Sequence, residues 1–224
     1  MLTPELQAAF QQSRFISYLD PEIKTYLLQH AEVITLPAYT YLHRKGDAFC
    51  GIYCLLAGKM KATGVTERGN EYSMAHIMPG AVIGEIAYLD AGDRTHDAQS
   101  LERSTLVRFN KDVLDNATAA YPAFYSAIVH LACMHIRQAF SVLDDFLTLS
   151  PEQRLAKKLL SMGSIQSRFR VISINQHELA AWVGVSRQSI SKILNRWQAH
   201  KMIAIEYKKL TLLQPEKLEA LYAS

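Results

Sequence analysis

Polar side chains suited to reading a DNA duplex are concentrated between residues 186 and 192. If this segment is a helix, Arg187, Gln188 and Lys192 project from its first turns, away from the apolar Ile190. An arginine can donate to both acceptors of a guanine edge, and a glutamine can pair bidentately with adenine. The N-terminus of such a helix can also meet phosphates. The candidate DNA-contacting residues are Ser186, Arg187, Gln188, Ser189, Lys192 and His177.

The residues around this segment predict the helix-turn-helix that would present it. Leu179 and Val183 give a first helix a small apolar inner face, Gly184 allows a tight turn, and Ser186 is a typical N-cap for the second helix. An ordinary pair of packed helices with a solvated basic face is the alternative. Charge favours the DNA interpretation, because residues 150–224 hold twelve Lys and Arg against five Asp and Glu, a net +7, whereas the rest of the chain is at −4.

The first half of the chain has the pattern of a β domain. After a helical lead-in over residues 4–31, short apolar or alternating runs fill residues 32–110. Glycines separate these runs at intervals of 12, 11 and 11 residues: Gly46, Gly58, Gly69 and Gly80. Short strands with turn signals at this spacing are typical of an all-β roll or barrel, so we expect one antiparallel domain.

A long helix is predicted from Pro122 to Leu149, where apolar residues recur at helical spacing and no further glycine or proline occurs. One stripe keeps the 4-3 spacing of a coiled-coil seam: Ile128, Ala132, His135, Ala139, Val142, Phe146 and Leu149. A second stripe is expected to cover the β domain: Phe124, Leu131, Ile136, Phe140 and Leu143. Two apolar faces need two partners, so we expect a homodimer; the alternative is a helix packed inside its own chain. Ser150 and Pro151 open the next helix, and we place a hinge near them.

Both halves carry residues of a known family in the right order. The DNA half has the run Val185-Ser186-Arg187-Gln188-Ser189-Ile190-Ser191-Lys192. The other half has Gly46-Asp47, Tyr53-x-Leu55-Leu56-x-Gly58, Pro79-Gly80 and the segment from Gly84-Glu85 to Arg94-Thr95. Over about residues 33–213 the chain resembles the Crp/Fnr family of bacterial transcription regulators.

This resemblance implies an α+β fold in three parts. They are an N-terminal antiparallel β-roll (a double-stranded β-helix) with its lead-in over 1–121, a long dimerisation helix and hinge over 122–149, and a C-terminal winged helix-turn-helix over 150–224. The resemblance further implies sequence-specific binding of a homodimer to pseudo-palindromic double-stranded DNA, with RNA polymerase as a partner.

The resemblance also assigns an effector site to four residues, Gly84, Glu85, Arg94 and Thr95. Glycine lets the backbone approach an anion, and arginine holds a phosphate through paired donors. Thr95 would add a hydroxyl and Glu85 would accept a ribose hydroxyl, so cyclic AMP or another cyclic nucleotide is the implied effector. The alternatives are that Arg94 and Glu85 form structural ion pairs without a ligand, or that the roll responds to a redox, haem or other signal.

Two positions depart from the family pattern. His96 stands where the family has a small alanine after its Arg-Ser/Thr pair, which crowds or repurposes the pocket. The long helix lacks an obvious Thr-Ser pair to contact adenine, and Arg137, Gln138 and Ser141 are the nearby candidates.

The remaining composition argues against several other classes of protein. The N-terminus lacks the features of a secretory signal and no run approaches the length of a membrane span, so we expect a cytoplasmic protein without membrane contact. No cysteine precedes Cys50, which argues against an N-terminal iron–sulfur cluster, and Cys50 and Cys54 are expected to pack in the core. His135 is expected to be a partly solvated seam residue. With no His-x-His motif, we expect neither a cupin-type metal site nor an enzyme.

Overall fold

The computed structural model describes residues 3–65, 71–162, 164–166, 169–173, 176–206 and 209–223. The chain divides into two compact units, residues 1–137 and 138–224, and the boundary between them falls inside the long helix. The division into 1–121, 122–149 and 150–224 remains a prediction. Each unit is described below by itself.

The first unit begins with helices and continues as strands, as the residue pattern predicts. Its elements are α1 (Pro4–Gln12), α2 (Arg14–Ser17), α3 (Pro21–Gln29), β1 (Glu32–Leu36), β2 (Tyr41–His43), β3 (Ile52–Ala57), β4 (Met60–Val65), β5 (Glu71–Ile77), β6 (Val82–Ile83), α4 (Glu85–Leu89), β7 (Asp97–Ser100), β8 (Ser104–Phe109), α5 (Lys111–Ala120) and α6 (Pro122–Thr148). Two of the short helices, α4 and α5, were not foreseen from the sequence.

Two four-stranded antiparallel sheets form the roll, in the orders β1-β8-β3-β6 and β2-β7-β4-β5. Strand β3 is buried on both faces. On one face, Tyr53 and Leu55 pack with residues of both sheets, such as Met60. On the other face, Cys54 and Leu56 pack in a core that includes helical residues. The predicted antiparallel roll is therefore confirmed, with one core inside it and another under its helices.

The long helix α6 buries a different face from the one expected. Ile128, assigned to the seam, is fully buried in the core of its own unit together with Phe124 and Leu131. Ile136 and Phe140, assigned to the β-domain stripe, are 50% and 60% exposed. The predicted assignment is therefore wrong for these residues, whereas Val142 and Phe146, also assigned to the seam, are 55% and 44% exposed. The exposed stripe with 4-3-4-3-4 spacing consists of Val129, Cys133, Ile136, Phe140, Leu143 and Leu147.

Helix α6 also corrects an expectation about membranes. Among the described residues, this 27-residue helix is long and apolar enough by composition to cross a bilayer, and most of its apolar stretch is exposed in the single chain. By length and composition alone, α6 therefore contradicts the expectation that no run approaches a membrane span.

The second unit contains the end of α6 and the basic C-terminal region. Its further elements are α7 (Pro151–Ser161), β9 (Ser164–Gln166), β10 (Phe169–Ser173), α8 (Gln176–Val183), α9 (Arg187–Ala199), β11 (Ile203–Glu206), β12 (Lys209–Leu212) and α10 (Pro215–Glu219). The strands form one antiparallel sheet in the order β11-β12-β10-β9. Ser150 caps α7 through a complete capping box with Gln153, and Pro151 takes the first helical position, as predicted.

Candidate DNA-binding surface and effector cavity

A tight turn between α8 and α9 sets the orientation of the second helix. Gly184 has φ +75°, and a Cβ atom built on it would lie 2.8 Å from the Phe146 ring. Ser186 caps α9, because its Oγ accepts a hydrogen bond from Ser189 N over 3.1 Å, and the two hydroxyls lie 3.0 Å apart. Glycine is therefore needed at the turn both for the backbone conformation and for space.

The inner faces of the two helices form the predicted core. Leu179, Ala180 and Val183 of α8 are buried, and so are Ile190 and Leu194 of α9. This packing fixes which side of α9 faces outward, since residues on the opposite face cannot also reach the core.

The outer face of α9 carries the predicted DNA-contacting side chains. Arg187, Gln188 and Lys192 are exposed, and Arg187 and Lys192 form no ion pair within the described residues. Ser189 is half-buried beside the capping Ser186. The His177 side chain lies outside the described part of the structure. Their contact with DNA remains a prediction.

Arg154 and Lys157 of α7 connect the helix-turn-helix to the end of α6. The sequence did not indicate these contacts. Arg154 donates to the carbonyl oxygens of Leu149 and Val183 over 2.7 to 3.2 Å, and its guanidinium lies 4.5 Å from the centre of the Phe146 ring. Lys157 pairs with Asp145 at 2.6 Å. The last turns of α6 thus pack within the same compact unit as the helix-turn-helix.

A cavity of about 170 Å³ lies in the first unit, and all four predicted effector residues line it. Gly84, Glu85, Arg94 and Thr95 come from the turn and helix after β6 and from the segment before β7. The structure therefore brings together residues that are ten positions apart in sequence. Their role in ligand binding remains a prediction.

Arg94 is a buried residue of the cavity lining whose guanidinium is only partly hydrogen-bonded. The residue is only 3% exposed, yet its Nε and Nη1 atoms are buried without a hydrogen-bond partner. Its Nη2 donates to the Gly51 carbonyl oxygen over 2.6 Å and to Cys50 Sγ over 3.4 Å. In the part of the chain that the structure describes, no carboxylate pairs with Arg94, so the alternative of structural ion pairs is wrong for Arg94, whereas Glu85 does pair, with His135.

Gly84 makes room for this arginine. Its φ is +102°, and a Cβ atom there would lie 2.8 Å from the Gly51 carbonyl oxygen and would overlap Arg94 Nη1. The backbone around Gly84 therefore approaches the guanidinium more closely than any residue with a side chain would allow.

Two histidines form hydrogen bonds to the side chains of the predicted effector residues Glu85 and Thr95. His135 of α6 donates through Nδ1 to Glu85 Oε1 over 2.7 Å, and Glu85 is only 3% exposed. His135 thus lines the cavity in its own chain, so its assignment to the dimer seam is wrong. A 2.9 Å hydrogen bond joins His96 Nδ1 to the Thr95 hydroxyl.

The ionisation of these histidines follows from their surroundings. The hydrogen bond to Glu85 raises the pKa of His135, against the effect of burial and with the help of the negative charge. Burial and the positive charge of Lys45 lower the pKa of His96. Burial, reinforced by Arg94, lowers the pKa of His43 to about 4, so this ring is neutral near pH 7.

The cysteines differ from one another in exposure. Cys54 is fully buried, as expected, and burial raises its pKa to about 12. Cys50 is exposed, so its assignment to the core is wrong. Partial burial opposes ionisation of Cys50, but hydrogen bonds from Tyr53 and Arg94 and the charge of Arg94 outweigh it and lower the pKa of the thiol. No group of three or more His, Cys, Asp or Glu side chains suited to a metal ion occurs among the described residues.

Comparison with known proteins gives matches in both halves. A family model for the cyclic nucleotide-binding domain matches residues 33–121, and a model for the Crp-like helix-turn-helix domain matches residues 153–221. The chain is 23% identical to the transcriptional activator protein Anr of Pseudomonas protegens, over 81% of this chain and 76% of that protein. It is also 23% identical to a CRP-like cAMP-activated global transcriptional regulator of Mycobacterium tuberculosis, over 89% and 92%.

Solved structures show the same fold at lower identity. FixK2 from Bradyrhizobium japonicum superposes with a TM-score of 0.75 at 14% identity, covering 87% of this chain and 98% of that one. The c-di-GMP responsive regulator CLP of Xanthomonas campestris superposes with a TM-score of 0.74 at 17% identity, covering 86% and 99%. The names of two of these relatives mention different signals, cAMP and c-di-GMP. The similarity therefore does not identify the effector of this chain.

Proposed function

The chain belongs to the Crp/Fnr family of DNA-binding transcription regulators, and we propose that it binds a pseudo-palindromic duplex as a homodimer, with α9 of each subunit in successive major grooves. The observation that supports this most directly is the exposed first turn of α9. It presents Gln188 and an Arg187 that has no ion pair within the described residues, on a helix that Ser186 caps and a buried core orients.

The dimer would form along the exposed stripe of α6. Val129, Ile136 and Phe140 follow the 4-3 spacing that two helices use to pack knobs into holes, and they are 38%, 50% and 60% exposed in the single chain. Burying this stripe against a second copy also accounts for the apolarity of the helix without a membrane. We therefore propose a cytoplasmic location.

The oligomeric state provides a direct test of this arrangement. In analytical ultracentrifugation without detergent, the wild-type chain should sediment as a dimer. Phe140→Glu should shift it to monomer, whereas Gln138→Glu, an exposed change outside the stripe on the same helix, should leave the dimer intact. A monomeric wild type, or a chain that requires detergent to stay in solution, would contradict the proposal.

The effector would bind at Arg94. A buried guanidinium with two unpartnered donor atoms and no carboxylate partner among the described residues is suited to an anion. A cyclic nucleotide, the ligand class that the matching family model names, and a smaller anion are the two candidates. We further propose that RNA polymerase is the partner through which the regulator acts and that the chain itself has no catalytic activity.

Selection from a randomised duplex pool tests DNA recognition. The purified chain should enrich a sequence with two half-sites related by a dyad, spaced by about one helical turn of DNA. An Arg187→Ala, Gln188→Ala double variant should lose this enrichment while it keeps the wild-type circular dichroism spectrum. Enrichment of no sequence, with and without candidate anions, would overturn the proposal.

A further inference from the structure

The polar side chains around the cavity differ in whether they already have a hydrogen-bond partner within the protein. Glu85 is already paired with His135 at 2.7 Å, and the Thr95 hydroxyl already bonds to His96 at 2.9 Å. Among the described lining residues, Arg94 retains two buried donor atoms without a partner, and His43 Nδ1 is the other buried nitrogen that lacks one. A ligand entering this cavity therefore finds free donors for an anion, whereas a sugar would meet a Glu85 carboxylate and a Thr95 hydroxyl that each already bond to a histidine.

The size of the cavity also favours a small anion over a larger ligand. Pockets for drug-sized ligands and cofactors generally measure about 300–1,000 Å³. The space beside Arg94 is about 170 Å³, and His43, His96 and His135 all form part of its wall. This space is smaller than such pockets, so it suits a compact oxyanion better than a base with its ribose.

Among the described residues, two carboxylates line the cavity, but neither is the partner of the Arg94 guanidinium. The ionisable lining groups of the cavity are His43, Glu85, Arg94, His96, Asp97 and His135. Glu85 is paired with His135, and Asp97 Oδ1 accepts the Lys45 backbone N–H over 2.7 Å. Neither carboxylate bonds to Arg94 in the described structure. A bound oxyanion would supply the acceptors that Arg94 Nε and Nη1 lack.

We propose that the cavity binds a compact oxyanion of phosphate or carboxylate size through Arg94, and that His96 and His135 exclude cyclic nucleotides by occupying Thr95 and Glu85. The inference rests on the proposed effector role of this cavity. It assigns one departure from the family pattern, His96 after the Arg-Thr pair, to ligand specificity, together with His135 of the long helix. His96 and His135 act as specificity-determining residues because they use the hydrogen bonds and the space that a nucleotide would need.

Thermal unfolding of the full chain tests the anion, with inorganic phosphate, acetate and cyclic AMP as separate probes and chloride added to equal ionic strength. We expect phosphate or acetate to raise the melting temperature above the chloride control, and comparison of the two distinguishes an oxyanion of phosphorus from a carboxylate. Cyclic AMP should give no shift. Arg94→Lys keeps the charge but loses the planar fork, so it should weaken the binding of the anion at least tenfold; Arg94→Gln should abolish it.

Calorimetric titration of a His96→Ala, His135→Ala double variant tests specificity. Removing both rings frees Thr95 and Glu85, and cyclic AMP should then bind at least tenfold more tightly than to the wild type. The proposal is overturned if the wild type binds cyclic AMP, or if neither phosphate nor acetate exceeds chloride. If the double variant rejects cyclic AMP as the wild type does, the histidines do not set specificity. Binding of the selected duplex, measured on the same samples, separates these failures from failure of the DNA-binding proposal.

Discussion

Replacing Arg187 with alanine tests whether the first turn of α9 reads a base. Arg187 is exposed and has no ion pair within the described residues, so its removal should change the stability of the free protein by less than about 0.5 kcal/mol. The loss on binding therefore reports the complex rather than unfolding. A bidentate contact to guanine contributes about 1–3 kcal/mol, so affinity for the selected duplex should fall by about 5- to 150-fold.

Fluorescence anisotropy with a panel of duplexes, each changed at one base pair, measures this loss. If Arg187 reads one base, the variant should lose discrimination at that pair and keep it elsewhere. Arg196→Ala is the matched control, because Arg196 lies in the last turn of the same helix and pairs with Glu152. It should change DNA affinity by no more than about twofold. Equal loss on every duplex would make Arg187 a phosphate contact, and a loss as large for Arg196→Ala would refute the proposed orientation of α9.

Three further predictions concern the supports of the two sites. Ser186→Ala and Ser150→Ala each remove an N-cap, so each should lower the free energy of unfolding by about 1 kcal/mol in chemical denaturation. Only Ser186→Ala should also weaken DNA binding. Equal effects of the two variants on DNA binding would contradict this prediction. Gly84→Ala should destabilise by about 1–3 kcal/mol and abolish anion stabilisation, whereas Gly46→Ala, which has positive φ but open space around its Cβ, should spare the anion site. Because the folded state lowers the pKa of His43 to about 4, the unfolded chain binds that proton more readily. The contribution of His43 to the free energy of unfolding is therefore fully present above about pH 6.5, and it should fall by about 2 kcal/mol toward pH 4 after allowance for solvent screening. Chemical denaturation at pH 7 and pH 4.5 measures this loss, and the His43→Gln variant should lack it.

The DNA-binding half could be predicted in detail because its signals are local. A cap acts on the next turn and a turn glycine acts on its own backbone, so Ser150, Gly184 and Ser186 have the roles that their neighbours in sequence indicate. Regular turn spacing likewise predicted the antiparallel roll. The short helix α10 was missed, since its five residues are too few to show a clear period.

Long-range contacts explain what could not be predicted. Two stripes on α6, one residue apart, both fit a 4-3 repeat, and only packing in the core decides that Ile128 is buried while Val129 is half-exposed. The pairing of Glu85 with His135 joins residues 50 positions apart, and no local pattern encodes it. Cys50 lies just before β3 rather than within it, so the alternation that would bury a strand residue does not apply.

The corrected register of α6 places the effector cavity and the proposed dimer seam on adjacent residues. His135 bonds to Glu85 in the cavity, and Ile136 belongs to the exposed stripe. An anion at Arg94 would add a negative charge to a cavity that already contains Glu85, which favours the protonated form of His135 and strengthens its hydrogen bond to this carboxylate. A ligand changes DNA binding only if it prefers one arrangement of the helices over another, and equal affinity for both would have no effect. On this proposal the preference arises at His135, because this one side chain contacts the cavity and belongs to the helix that would join the two subunits.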